Sequence, residues 1–237
     1  MKDGLWEAIE NKTAKVVVLG LGYVGLPVAC LFADAGFPVA GIRRSQDRVD
    51  MINQGQCPLE GEEPGLAELM SRVVSEGRFR ATTDYRVCRD ARIVLIAVET
   101  PVDAATKKPD YQALRGALTD LGKNLSRGTM VVIESTIAPG TMETVVKPLL
   151  EKTSGLQVGE DFYLVNCPER VMPGKLLVNI RRCHRVVGGM SPEAAELAVK
   201  FYQHVVQADL DAVDCLTAEL VKTMENAYRD VQIAFAN

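Results

Sequence analysis

The sequence predicts an α/β fold, a doubly wound and mostly parallel sheet followed by the start of a long central helix, and three observations predict it. Short β-branched runs, among them VVVL, FPVAGI, IVLIAV, FYLVN and RVVGG, are as continuously apolar as strands covered on both faces. Between them lie stretches whose apolar residues recur at helical spacing. From about Ala208 the strand signal stops and helical spacing alone remains.

Taken in order, MKDGLWEAIENKTAK reads as a short amphipathic helix and has no apolar core of the kind a secretory leader needs. Val16 to Leu19 then run straight into Gly20, Gly22 and Gly25, and an apolar, small-residue helix pattern follows from Leu26 to Ala35. Strand, tight turn and helix with glycines spaced G-x-G-x-x-G make a Rossmann-like dinucleotide turn. Gly20 permits the turn, Gly22 lets the backbone approach a pyrophosphate, and Gly25 lets helix and strand pack closely. Tyr23 and Val24 complete the turn, and the free N–H groups and dipole of the helix start would hold the phosphates. The glycines alone would also suit an ordinary glycine-rich turn; the flanking strand and helix favour the dinucleotide. The 18 uncharged residues from Val16 to Ala33 approach the length of a membrane span, but three glycines and Pro27 interrupt them.

Phe37 to Ile42 is the second strand, and the residue after it declares the cofactor. An NAD site places an Asp or Glu there for the ribose hydroxyls. Here the strand ends in Arg43, Arg44 and Ser45, a set suited to a 2′-phosphate and hence to NADP, or else two solvated arginines. Asp47 replaces the missing carboxylate only if the loop turns back. A helical region with a loop spans Asp47 to Val74, and Phe79 to Thr83 is a short strand. Ile93 to Val98 is a buried strand whose end places Thr100 and Pro101 beside the cofactor. Asp110 caps a helix running to about Leu125. Met130 to Glu134 is a strand, and Ser135 to Thr141 opens a helix carrying Thr144 to Leu150. Phe162 to Asn166 leads into the loop CPERVMPGK, Arg185 to Gly189 closes the sheet, and Ser191 to Tyr202 is a helix. The division is therefore a dinucleotide-binding domain over 1–207 and the start of a helix over 208–237. Its apolar positions are Ala212, Leu216, Leu220, Met224, Ala227, Tyr228, Val231 and Phe235, and with no stop signal at Asn237 a longer protein is expected to continue.

With 27 basic and 31 acidic residues the net charge is −4, so neither nucleic acid nor an acidic membrane surface is an expected partner. Six cysteines without C-x-x-C spacing read as reduced thiols in the cytoplasm, and His184 and His204 share no metal spacing, so no metal is expected. Lys222 and Asn226, four apart, share a helix face. Spacing alone also fits a solvated lysine and an ordinary polar neighbour. Glu169 lies just past a strand end with Pro168 and Pro173 stiffening its surroundings; it is a candidate general base, or half of a surface ion pair with Arg170. Cys167 beside it has only Arg170 near in sequence to lower its pKa and reads as a buried thiol.

Eight stretches, VVVLGLGYVGLP, INQG…EPGL, ATTD, AVETP, ESTIAPGT, CPERVMPG, RVVGG and AELVKTMENAYRDVQIAFAN, together resemble the nucleotide-sugar 6-dehydrogenases, the UDP-glucose/GDP-mannose dehydrogenase family. CPERVMPG is more similar to the UDP-N-acetylmannosamine dehydrogenase branch. The resemblance implies a four-electron oxidation of a UDP-sugar C6 alcohol to a carboxylate with two molecules of NAD, in a homodimer paired through the last helix. It implies that Lys222 and Asn226 stabilise the alkoxide, that Glu169 activates water with help from Thr136, and that Ser135, Thr136, Thr100 and Pro101 flank the cofactor. Two departures stand out. NAD-preferring members carry Asp where this chain has Arg43, and the family's nucleophilic cysteine lies in a later segment that none of the six cysteines matches. A non-catalytic dinucleotide module and a plain two-electron dehydrogenase using Lys222 are the other readings.

Overall fold

The computed structural model describes residues 2–61, 63–172 and 174–237, so Pro173, expected to stiffen the Glu169 loop, lies outside the described residues. The strands are β1 (Val16–Leu19), β2 (Val39–Ile42), β3 (Phe79–Thr82), β4 (Ile93–Ile96), β5 (Met130–Ile133), β6 (Tyr163–Asn166), β7 (Arg185–Gly189) and β8 (Leu210–Asp214). They form one sheet in the order β3-β2-β1-β4-β5-β6-β7-β8, parallel throughout except between β6 and β7. The first six strands follow the doubly wound dinucleotide-binding order. The helices are α1 (Lys2–Glu10), α2 (Gly25–Asp34), α3 (Gln46–Asn53), α4 (Leu66–Ser75), α5 (Gln112–Gly122), α6 (Lys147–Ser154), α7 (Leu176–Arg182), α8 (Pro192–Tyr202) and α9 (Cys215–Ala236).

Successive strand residues point to opposite faces, and both faces are covered. Val16, Val18, Ile93, Leu95, Met130 and Val132 meet the core under α2, α4 and α8. Val17, Leu19, Val94, Ile96, Val131 and Ile133 meet Leu114, Leu118 and Leu121 of α5 and Leu150 of α6. This is why the strands read as unbroken apolar runs, each buried Val or Leu contributing about 1.5–3 kcal/mol over exposure. Phe32 of α2 stacks on Phe201 of α8 with ring centroids 4.0 Å apart, joining the first crossover helix to the last.

Several boundaries differ from the sequence reading. The second strand begins at Val39, because the Phe37 amide is engaged with the Phe32 carbonyl in closing α2 and Pro38 has no N–H to give. Asp110 accepts the Gln112 amide at 2.8 Å, but α5 ends at Gly122 rather than Leu125. The helix after STIAPGT opens with a π-helical stretch, Met142–Val146, before α6.

The largest correction is β8. It pairs in parallel with β7, so Arg185 to Gly189 does not close the sheet, and Ala212 belongs to a strand rather than to the helix. An edge strand needs only one apolar side and tolerates charge on the other, so LDAVD carries a weak signal. The helix proper starts at Cys215, capped by Asp214, whose carboxylate accepts the Thr217 amide at 2.9 Å. Among the described residues no helix is long and apolar enough to cross a membrane.

Candidate functional site

Because β1, β4, β5 and β6 are adjacent and parallel, the residues that follow them gather on one edge of the sheet: Gly20, then Ala97 to Pro101, then Ser135 and Thr136, then Cys167 to Glu169. Ligands of open parallel sheets bind at this edge.

The glycine turn shows three distinct demands. Gly20 has φ +95°, and a Cβ there would lie 2.5 Å from the Ala97 carbonyl oxygen. A Cβ on Gly25 would stand 2.0 Å from the Gly20 oxygen. Gly22 is different, because nothing lies within 4 Å of where its Cβ would be. Its side-chain space is open, as close approach of a pyrophosphate requires. The N-cap position of α2, Val24, has no side-chain cap, and among the described residues no acceptor meets the amides of Gly22, Tyr23 and Val24. Unanswered donors at a helix start are the ordinary anion site, so these residues fit a dinucleotide pyrophosphate. The Tyr23 side chain donates its hydroxyl proton to the Glu63 carboxylate. Burial and that carboxylate push the phenol up to about 12.

At the end of β2, Arg43 is half-buried and donates from Nη1 to the Leu21 carbonyl, which ties it to the glycine turn. Burial, with Arg48 nearby, lowers its pKa. Arg44 is exposed. Ser45 caps α3, its hydroxyl oxygen 3.4 Å from the Arg48 amide.

Next along the edge, Ser135 Oγ donates to the Val98 carbonyl at 2.6 Å, and Thr100 Oγ1 donates to the Thr136 carbonyl at 2.6 Å. These two bonds hold the strand ends of β4 and β5 together. Pro101 is exposed beside them. The Thr136 hydroxyl has no partner among the described residues and is half-buried.

Glu169 is no surface residue: it is 5% exposed, and its carboxylate pairs with Arg185, itself 1% exposed, rather than with the side chain of Arg170. Its other oxygen accepts the Arg170 amide at 2.8 Å. Arg185 also lies 3.9 Å from Glu134, which accepts the Tyr202 hydroxyl at 2.7 Å, and its guanidinium sits over the Tyr202 ring. Burial lifts Glu134 to about 7 against the pull of Arg185. Burial would lower Arg185, but Glu169 and the neighbouring acidic groups hold it above the usual arginine range. Cys167 is fully buried and pushed up to about 12, in keeping with an inert thiol.

The long helix α9 is fastened to both neighbouring loops on either side of Lys222. Three residues before it, buried Glu219 accepts the amides of Gly140 at 2.7 Å and Met142 at 2.8 Å, which anchors the loop that starts at Ser135. Three residues after it, Glu225 accepts from Arg170 Nε at 2.7 Å, which anchors the Glu169 loop. Between them Lys222 is half-buried and, among the described residues, has no carboxylate at ion-pair distance. Burial lowers its pKa, while Glu225 and Glu169 act in the opposite direction. Asn226, one turn on, accepts from Arg229 at 2.9 Å. No group of three metal-ligating side chains occurs among the described residues.

Residues 14–206 match the model of the UDP-glucose/GDP-mannose dehydrogenase family, NAD binding domain. The chain belongs to this family. UDP-N-acetyl-D-mannosamine dehydrogenase of Pyrococcus horikoshii is 39% identical over 94% of this chain and 52% of its own length. NDP-N-acetyl-D-galactosaminuronic acid dehydrogenase of Ralstonia solanacearum is 39% identical over 97% and 54%. The crystal structure of the enzyme of that latter name from Methanosarcina mazei superimposes with a TM-score of 0.91 at 42% identity, covering 99% of this chain and 51% of that one. The chain thus spans about half the length of the curated relatives it matches. The match makes residues 14–206 an NAD-binding domain of this dehydrogenase family.

Sequence reasoning did not single out Glu63, Glu134, Arg185 or Glu219. Glu63 and Arg185 stood inside EPGL and RVVGG, read as a helix start and a strand, and Glu219 fell on the helix without a periodic role. Their partners are distant in sequence, 40 residues from Glu63 to Tyr23 and 77 from Glu219 to Met142, so no local pattern announces them.

Proposed function

We propose that this chain forms the cofactor domain and part of the catalytic centre of a nucleotide-sugar 6-dehydrogenase that oxidises the C6 alcohol of UDP-N-acetylmannosamine through an aldehyde to a carboxylate. One arrangement carries the reading: Lys222, an ammonium with no ion-pair partner among the described residues, on a helix pinned by Glu219 and Glu225 to the loops bearing Thr136 and Glu169, which follow strands of the same parallel sheet as the glycine turn. NAD, when bound, supplies the hydride acceptor for each oxidation. Lys222 stabilises negative charge developing on the C6 oxygen, and Asn226 shares that task with its amide. Glu169, its carboxylate oriented by Arg185 and the Arg170 amide, takes a proton from water, and the Thr136 hydroxyl holds that water. Thr100, Pro101 and Ser135 frame the nicotinamide side.

The test is turnover of UDP-N-acetylmannosamine by the whole protein that carries this chain. The expected result is two NADH per sugar, with Lys222→Met lowering kcat about 100-fold or more while NAD affinity holds. Aldehyde accumulating with one NADH per sugar would favour a two-electron dehydrogenase. NAD binding with no oxidation of any UDP-sugar would favour a non-catalytic module. The 237 residues alone are expected to seat NAD without completing both oxidations.

NADP is a second acceptable cofactor in this reading, because Arg43, Arg44 and Ser45 stand where a ribose-binding carboxylate would repel a 2′-phosphate. In side-by-side calorimetric titrations Arg43→Asp weakens NADP by about tenfold more than NAD. Equal loss for both rejects it. We further infer a homodimer through α9, supported by exposed Leu220, Met224, Tyr228, Val231 and Phe235, and a cytoplasmic setting, supported by six free cysteines.

A further inference from the structure

The carboxylate of Glu63 joins two parts of the site that lie far apart in the chain. On one side it accepts the hydroxyl of Tyr23, the residue that follows Gly22 in the glycine turn. On the other it accepts the amides of Gly174 at 2.7 Å and Leu176 at 3.3 Å, at the end of the loop that carries Glu169 and at the start of α7. The N-cap position of α7, Lys175, has no side-chain cap of its own, so Glu63 does that work from 113 residues away. Glu63 is itself fixed from behind, since its carbonyl accepts the Leu66 amide at 3.1 Å as α4 begins. The opposite part of the same loop is tied to α9 through Arg170 and Glu225.

We propose that Glu63 is a positioning residue that couples seating of the dinucleotide on the glycine turn to ordering of the loop that carries Glu169. The proposal rests on the reading that NAD binds at this turn. Tyr23 is the shared element. Its amide, which meets no acceptor among the described residues, is one of the donors that would face the pyrophosphate, while its phenol is committed to Glu63. A dinucleotide that fixes the Tyr23 backbone fixes the direction of the phenol, and the phenol then holds the carboxylate on Gly174 and Leu176. Glu63 and Tyr23 are both only half-buried, so the latch can open without disturbing the core. Linkage requires reciprocity: if NAD favours the latched loop, the latched loop favours NAD by the same factor.

The experiment is hydrogen exchange of the amides in 170–176, read by mass spectrometry with and without NAD, alongside calorimetric titration with NAD. In the parent protein NAD slows exchange at Gly174 and Leu176 by about fivefold. Glu63→Ala abolishes that slowing and weakens NAD by the same factor, and Glu63→Gln, which keeps an acceptor for the amides, restores part of both. Tyr23→Phe, which preserves the ring and removes only the donor, lowers the NAD-dependent slowing and provides the readout should Glu63→Ala fail to fold. A merely structural cap predicts another pattern, faster exchange in Glu63→Ala by an equal factor with and without NAD, at unchanged NAD affinity. That pattern overturns the proposal. Absence of any NAD binding by the parent overturns the dinucleotide reading itself, an outcome calorimetry separates from loss of coupling.

Discussion

Glu219 of α9 accepts the backbone N–H of Met142 at 2.8 Å across 77 residues of sequence, with its carboxylate 1% exposed. Burial raises its pKa, and the amides of Met142 and Gly140 act against that rise. This bond, with its twin to Gly140, registers the helix bearing Lys222 and Asn226 against the loop bearing Thr136. Glu219→Ala leaves two amides without their acceptor and is expected to destabilise the fold by about 2 kcal/mol. Glu219→Gln, which retains one acceptor, costs about half of that. Urea denaturation midpoints test both, and an unchanged midpoint for the alanine variant would remove Glu219 from this role.

The three glycines of the turn separate by consequence. Gly25→Ala drives a Cβ to 2.0 Å from a backbone oxygen and is expected to cost about 3 kcal/mol or more of stability. Gly22→Ala meets open space, so its thermal midpoint stays near that of the parent, while NAD affinity falls by about tenfold or more. Calorimetry and thermal melts on the same two variants give the comparison. If Gly22→Ala binds NAD as the parent does, the pyrophosphate does not lie over this residue.

Burial of Glu134 makes stability depend on pH in a defined direction. Its carboxyl titrates near 4.5 in the unfolded chain and at about 7 in the folded one. Below pH 4.5 both states hold the proton. Between 4.5 and 7 the unfolded chain releases it first, so stability falls as pH rises, by at most about 1.4 kcal/mol per unit. Glu134→Gln flattens this slope, because an amide cannot titrate and still accepts from Tyr202. Urea midpoints at intervals from about pH 5 to about pH 8 reveal it; identical slopes for parent and variant would contradict it.

Four thiols, Cys30, Cys88, Cys167 and Cys215, are buried. Burial pushes Cys88, Cys167 and Cys215 up to about 12 and Cys30 beyond the thiol range. Under native conditions iodoacetamide is expected to label half-buried Cys57 and Cys183 first, with the other four slower by about 100-fold or more. Peptide mass spectrometry over a time course follows each site. Rapid labelling of Cys167 would restore it as a candidate nucleophile.

The sequence by itself determined the parts of this protein that depend on neighbours in the chain. The glycine turn, the buried strands and the helix that presents Lys222 and Asn226 on one face are local patterns of period and spacing. They were legible because a strand covered on both faces must be apolar throughout and a tight turn must lack side chains. Tertiary structure alone decided what those patterns touch. It drew β8 out of an acidic edge segment by pairing it with β7, put Glu169 in a buried pair with Arg185 where the sequence had left open a surface pair with Arg170, and turned Arg43 back onto the Leu21 carbonyl. It also set Glu63 and Glu219, unremarkable in sequence, as the carboxylates that fasten distant loops. For the four side chains the physical reason is the same: a charged group carries no periodic signature of its partner, and which opposite charge, carbonyl or free amide it meets depends on how the strands are ordered in space.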